Sequence, residues 1–154
     1  MSPLVCIPHA GGGASTFAPW QRALGNRVLA VTLPGRESRI GEPPLERIID
    51  MAEWVAADLL QRRVEDSVLF GHSMGALVAY EVARRLPRSA SSVIARLVVS
   101  GCQCPSIFSA DHLSEIENDE AFLHAVSAYG GLPAGLLAYD ELKVYATSVL
   151  RADL

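Results

Sequence analysis

The stretch Val68-Leu69-Phe70-Gly71-His72-Ser73-Met74-Gly75-Ala76 limits what this chain can fold into more than any other. Val68, Leu69 and Phe70 read as a short strand, Gly71 to Gly75 form a G-x-S-x-G motif, and residues 76–86 read as a helix. Strand, tight turn and helix together are the setting of a nucleophile elbow, which holds a serine Oγ exposed above a sheet. The turn crowds the backbone, so Gly71 and Gly75 carry no side chains where strand and helix nearly touch. Ser73 therefore reads as a nucleophile, and the amide of Met74, opening the next helix, points toward a developing oxyanion.

The rest of the chain supplies a sheet for such an elbow. Residues 4–7 predict a buried strand that runs into Pro8-His9-Ala10-Gly11-Gly12-Gly13. A phosphate cradle would need G-x-x-x-x-G-K-[ST] or G-x-G-x-x-G, and neither occurs here. The alternative is the Gly-rich loop after an early strand that donates a second oxyanion N–H in α/β-hydrolases. Residues 16–24 predict a helix capped by Ser15 or Thr16, with Phe17, Trp20 and Leu24 on one face. Residues 27–33 predict the next parallel strand, closed by the turn Pro34-Gly35-Arg36-Glu37. Residues 45–62 carry apolar residues at helical spacing, and residues 96–100 predict a further buried strand. Four strands alternating with three helices give an α/β chain with a mostly parallel, doubly wound sheet.

After Pro105 the pattern changes. Residues 119–129 predict a helix with Ala121, Phe122, Ala125, Val126 and Tyr129 inward, Gly130-Gly131-Leu132-Pro133 breaks it, and residues 136–150 predict another. Helices where strands should continue suggest a helical lid, residues 109–150, inserted above the carboxyl edge of a single domain, residues 1–154.

Composition excludes several classes. With 19% charged residues and a net charge of −4, the chain has no electrostatic footprint for nucleic acid or an anionic membrane. No apolar run could span a bilayer, and the amino-terminal residues do not resemble a signal peptide. Cys6, Cys102 and Cys104 cannot all pair, and Cys102-Gln103-Cys104 has too few companions for a metal. The reading is a cytoplasmic, reduced protein with no metal and no cofactor.

Five segments then fall in one order: Pro8-His9-Ala10-Gly11-Gly12, Leu33-Pro34-Gly35-Arg36-Glu37-Ser38-Arg39, Phe70-Gly71-His72-Ser73-Met74-Gly75-Ala76, Gly130-Gly131-Leu132-Pro133 and Leu150-Arg151-Ala152-Asp153. In these the chain resembles the type II thioesterases, discrete α/β-hydrolases that accompany polyketide synthases and nonribosomal peptide synthetases. The resemblance implies Ser73 as acyl-accepting nucleophile, with Met74 and Ala10 as oxyanion-hole amides. The implied substrate is an acyl or aminoacyl thioester on the phosphopantetheine arm of an acyl or peptidyl carrier protein. The implied role is editing, by hydrolysis of aberrant or stalled acyl groups, and the complete protein would be a monomer.

One departure matters. In that family the triad acid and the histidine base follow later strands, whereas this sequence ends at Leu154, just after the R-A-D segment. The triad Asp and His are thus expected to be absent, and the chain is expected to be a carboxy-terminally truncated form, inactive as it stands, with the last strand's edge exposed. His72 should point away from Ser73, and His9 reads as a loop-ordering residue. His112 and His124 read as surface positions, and Asp111, Asp119 and Asp140 as helix caps or solvated charges. Arg36 and Arg39 read as surface or loop-ordering residues, with contact to an acidic carrier protein as the second reading. Two functional alternatives stand beside the thioesterase: a general carboxylesterase or lipase-like serine hydrolase, and a non-catalytic carrier-binding remnant.

Overall fold

The computed structural model describes residues 2–87, 93–105, 112–130, 132 and 135–154. Four parallel strands, β1 (Leu4–Ile7), β2 (Val28–Ala30), β3 (Ser67–His72) and β4 (Ile94–Ser100), form one sheet in the order β2-β1-β3-β4. Between them run α1 (Ala18–Leu24), α2 (Ile48–Gln61) and α3 (Met74–Arg85). Two helices follow, α4 (Asp119–Ala128) and α5 (Asp140–Asp153). The expected α/β class with a parallel sheet and flanking helices is what forms.

Side-chain alternation along β1 explains the layering. Val5 and Ile7 face one side, where they meet Leu69 of β3, Met51, Ala52, Val55 and Leu59 of α2, and Val78, Ala79 and Val82 of α3. Cys6 faces the other side with Phe17, Val28 and Phe70. There the rings of Phe17, Trp20 and Phe70 pack at centroid distances of 5.0–6.0 Å, which seats α1 on the sheet. The buried Cys6 thiol is pushed up to about 12 by desolvation, so it behaves as an apolar side chain.

Several boundaries differ from expectation. The helix expected over 16–24 begins as a 3₁₀ turn (Ala14–Phe17), and α1 starts only at Ala18, with Pro19 in its first turn. Neither Ser15 nor Thr16 caps it, because the Ser15 amide and hydroxyl are both taken by the Glu37 carboxylate. Trp20 and Leu24 keep 38% of their surface in solvent, so α1 is a rim helix. β2 is shorter than the apolar run 27–33: after Ala30 one more bond, Val31 N–H to Cys6 O at 2.9 Å, holds the chain before it leaves for the 34–36 turn.

The expectation that residues 96–100 are buried is wrong. Leu97, Val98 and Val99 are 37%, 42% and 55% exposed, because β4 is an edge strand packed against β3 and α3. The separate expectation of an exposed last strand therefore holds. In α4 the buried residues are Phe122, Leu123 and Val126, while Ala121 and Tyr129 face solvent. The helix is rotated from its expected phase because Leu123 offers more apolar surface than Ala121. The helix expected over 136–150 is a 3₁₀ turn (Leu136–Ala138) followed by α5, which carries the R-A-D segment inside its last turn. Phe122, Leu123, Val126, Ala146 and Leu150 form a separate small core joining α4 to α5, and Ala10 packs against it. The start of the expected lid (109–111), Asp111, Gly131 and Pro133 lie outside the described residues.

Candidate active site

β3 ends at His72 and α3 begins at Met74, so Ser73 is the one residue between them. Its backbone stands at φ 54° and ψ −123°, a conformation that non-glycine residues adopt only when their surroundings impose it. The surroundings do so on both sides: the Ser73 N–H donates to Ser100 O at 2.8 Å, and the Ala76 N–H donates to Ser73 O at 2.9 Å. A Cβ at Gly71 would lie 2.0 Å from the Gly75 carbonyl oxygen. A Cβ at Gly75 would lie 2.3 Å from the Ile7 oxygen and 2.4 Å from that of Pro8. Strand β1, strand β3 and helix α3 thus meet backbone to backbone under Ser73, and the glycines of the G-x-S-x-G motif are the condition for it.

The loop after β1 lies beside this elbow. Within it the Gly12 N–H donates to His9 O at 3.0 Å and the Gly11 N–H donates to Asp153 Oδ2 at 2.7 Å. Among the described residues the Ala10 and Met74 N–H groups have no acceptor. Ala10 and Ser73 line one cavity of about 260 Å³, whose other walls include His9, His72, Leu113, Val126 and Leu150. Ala10, with a free amide, thus shares a cavity wall with the strained Ser73, and the free Met74 amide follows Ser73 at the N-terminus of α3; unpaired N–H groups of this kind are the donors an oxyanion needs. A neighbouring cavity of about 490 Å³ shares His9, Gly130 and Leu150 and extends past Gly11 to Glu37 and Tyr145. A third, of about 320 Å³ beside β2, holds none of these groups.

Among the described side chains, no histidine completes the site. His72 places its Nδ1 3.1 Å from Ser100 Oγ, and the residue lines the same cavity as Ser73. His9 stands edge-on to His72 with ring centroids 6.4 Å apart, and its ring makes no hydrogen bond among the described residues, so the expected loop-ordering bond is not formed by its side chain. Among the described residues no side chain hydrogen-bonds the Ser73 hydroxyl. His124 is exposed, as expected, and the side chain of His112 is outside the described set. Asp119 pairs with Arg151 at 2.7 Å, and Asp140 pairs with Lys143 at 2.7 Å, both in first turns of helices. Asn118 rather than either aspartate is the cap of α4.

Burial holds His9 below its ordinary value near 6.5; electrostatic repulsion from the neighbouring His72 adds to this, and Asp153 opposes it. The unfolded chain therefore binds a proton at His9 at higher pH than the folded chain does. Stability falls as pH drops below about 6.5 and levels off only once the folded His9 also takes its proton. Thermal melts between pH 7.5 and 5.5 should show this loss, and His9→Gln should remove part of it.

The arginines correct the sequence reading most. Arg36 is 1% exposed, which removes it from any carrier-protein surface. Its guanidinium forks onto Asp153, Nη1 to Oδ2 at 2.7 Å and Nη2 to Oδ1 at 2.8 Å, and reaches Gly12 O and Pro34 O at 3.3 and 3.4 Å. Arg39 pairs with Glu42 and lies over the Trp54 ring at 4.6 Å, so it orders its loop. Asp153 was missed as a site residue. An acid in the last turn of a helix opposes the macrodipole and needs a cation, and Arg36 supplies it.

Comparison with known proteins bears on this geometry. A family model described as a thioesterase domain matches residues 2–154. The probable anguibactin biosynthesis thioesterase AngT of Vibrio anguillarum is 38% identical over 153 residues, covering 97% of this chain and 60% of its own. Among solved structures, the RedJ thioesterase of the prodiginine pathway in Streptomyces coelicolor superposes with a TM-score of 0.86 at 39% identity, over 99% of this chain and 61% of its own. YbtT, a type II thioesterase of the yersiniabactin pathway, gives 0.83 at 34% identity, over 99% and 62%. The chain thus spans about 60% of the length of these relatives.

Proposed function

This chain belongs to the thioesterase domain family, and from that membership we propose that its chemistry is the type II thioesterase reaction, with Ser73 as nucleophile. The substrate is an acyl group held as a thioester on the phosphopantetheine arm of an acyl or peptidyl carrier protein, and the role is editing of polyketide or nonribosomal peptide assembly in the cytoplasm. Names of the relatives support this reading, since YbtT is described as a type II thioesterase of an NRPS/PKS pathway, and AngT and RedJ as thioesterases of anguibactin and prodiginine biosynthesis. Helices α4 and α5 form the lid over the acyl group.

In this reading Ser73 Oγ attacks the thioester carbonyl carbon, and the carbonyl oxygen becomes an oxyanion held by the Ala10 and Met74 N–H groups. The C–S bond breaks, the carrier thiol leaves with a proton, and water hydrolyses the acyl-Ser73 ester. The observation that carries the reading is the strained Ser73 sharing a cavity with Ala10, whose amide is unpaired, and followed directly by the unpaired Met74 amide at the start of α3. What the described residues do not offer is a proton acceptor for Ser73. Loss of that function in serine hydrolases costs about 10⁴ to 10⁶ in rate. A Ser73 served only by the described residues would turn over more slowly by a factor of this size.

Added imidazole supplies the missing base and tests this. Hydrolysis of an acyl-pantetheine thioester should rise with imidazole at least about tenfold more in the native chain than in Ser73→Ala, whose rate gives the reaction of imidazole in solution. Equal rates in the two proteins would refute Ser73 as nucleophile. The lack of a proton acceptor favours a second reading, a carrier-binding module without turnover. It predicts retention of an acyl-carrier protein together with no Ser73-dependent rate at any imidazole concentration.

A further inference from the structure

The three glycines after β1, the P-G-R-E turn and the R-A-D end of α5 are far apart in sequence yet meet at one carboxylate. Asp153 Oδ2 accepts from the Gly11 N–H at 2.7 Å and from Arg36 Nη1 at 2.7 Å, while Arg36 Nη1 also donates to Gly12 O at 3.3 Å. Neither side chain of the pair is more than 1% exposed. The loop is thus gripped by an N–H on one residue and a C=O on the next. Gly11 stands at φ +75° with Leu150 packed where a Cβ would be, so the loop has no side-chain anchor of its own there. Glu37, next to Arg36, holds the far end of the loop through the Ser15 amide and hydroxyl.

We propose that Asp153 and Arg36 are positioning residues that latch the loop so that the Ala10 N–H faces the cavity above Ser73. Asp153 and Arg36 engage the Gly11 N–H and the Gly12 C=O, and the Gly12 N–H is taken by His9 O, while the Ala10 N–H, on a residue that lines the cavity with Ser73, has no acceptor among the described residues. Because Asp153 belongs to α5, the same latch ties the helical layer over the cavity to the donor beneath it. The kinetic part rests on the thioesterase reading, and the structural part does not.

Two paired variants separate latching from folding. Arg36→Met with Asp153→Leu removes both charges and the acceptor, and keeps the site filled with apolar groups, a replacement that buried ion pairs commonly tolerate. Arg36→Met with Asp153→Asn also removes both charges but leaves an amide oxygen in reach of the Gly11 N–H. Thermal melting establishes that each is folded. Amide hydrogen exchange at Ala10, Gly11 and Gly12 then reads the latch without any substrate. Faster exchange of Gly11 by at least about tenfold in the leucine variant, with much of the protection restored by asparagine, supports the latch. Equal protection in both variants and in the native chain overturns it.

Imidazole-supported thioester hydrolysis reads the consequence. The leucine variant should lose about 30-fold or more in the maximal rate with KM within about threefold, the size and pattern expected when an oxyanion donor is misplaced. A loss confined to KM, or an unchanged rate, overturns the positioning role. If the native chain itself shows no Ser73-dependent hydrolysis, the thioesterase reading fails, and amide exchange still decides the latch. If the leucine variant does not melt cooperatively, Asp153→Asn alone, which keeps an acceptor near Gly11, is compared with Asp153→Ala, which does not.

Discussion

Alanine at Gly75 will remove more than about 4 kcal/mol of stability, a loss in the range reserved for specific steric or electrostatic failures. The added Cβ would stand 2.3 Å from the Ile7 carbonyl oxygen and 2.4 Å from that of Pro8. Both obstacles are backbone atoms at the end of β1, the strand that pairs with β2 on one side and β3 on the other. No side chain can rotate aside, so either α3 lifts from the sheet or β1 loses its register. Gly71→Ala meets the Gly75 oxygen at 2.0 Å and should behave alike. Gly41→Ala is the control: nothing lies within 4 Å of its added Cβ, and its cost should stay within about 0.5 kcal/mol. Urea denaturation of the three variants measures this. Set against a total stability of about 5–15 kcal/mol for a typical domain, the first two proteins will be largely unfolded or absent from the soluble yield.

Arg36→Met will cost about 3–5 kcal/mol, because it leaves the Asp153 carboxylate buried with the Gly11 amide but no cation. The sign reverses in the double variant. Adding Asp153→Leu removes the stranded charge, and most of the loss should be recovered, since the cost of desolvating both charges offsets much of the intact pair's attraction. Arg36→Lys should also fail, because a single ammonium cannot reproduce the fork onto both carboxylate oxygens and the contact to Gly12 O. Denaturant midpoints for the two singles and the double form a closed cycle that isolates the pair.

How far the fold was legible in the sequence follows from what each signal measures. The elbow was readable because its glycines answer to backbone contacts within and beside the motif itself, and the structure shows those contacts at Gly71 and Gly75. The order of strands and helices was readable because apolar periodicity reports which local structure can bury a face. It does not report whether a partner exists to cover that face. Val98 and Val99 have the composition of a core strand, yet stand exposed on β4 because that strand is paired to β3 on one side. The phase of α4 failed for a related reason: Ala121 and Leu123 compete for one interface, and the larger residue takes it.

The candidate site was legible around Ser73 and Ala10 but not at Asp153. A bidentate pair between residues 117 positions apart leaves no local pattern. The available hint was energetic, an acid placed at the unfavourable end of a helix dipole. The same limit explains Arg36, whose charge reads as surface until its partner is found. Glu37 belongs with it: although the residue is exposed, its carboxylate fills the space beside Gly13 and binds Ser15.

The central claim is that Ser73 faces an oxyanion site made by the Ala10 and Met74 amides. A crystal structure of the chain with an alkylboronic acid tests it most directly, because a boronate adduct forms at equilibrium and needs no general base. The account predicts a tetrahedral boron bonded to Ser73 Oγ, with one boronate oxygen within hydrogen-bond distance of both the Ala10 and Met74 nitrogens, and no adduct in Ser73→Ala. Boron left trigonal, bonded elsewhere, or bonded to Ser73 with its oxygens turned away from those amides would contradict it.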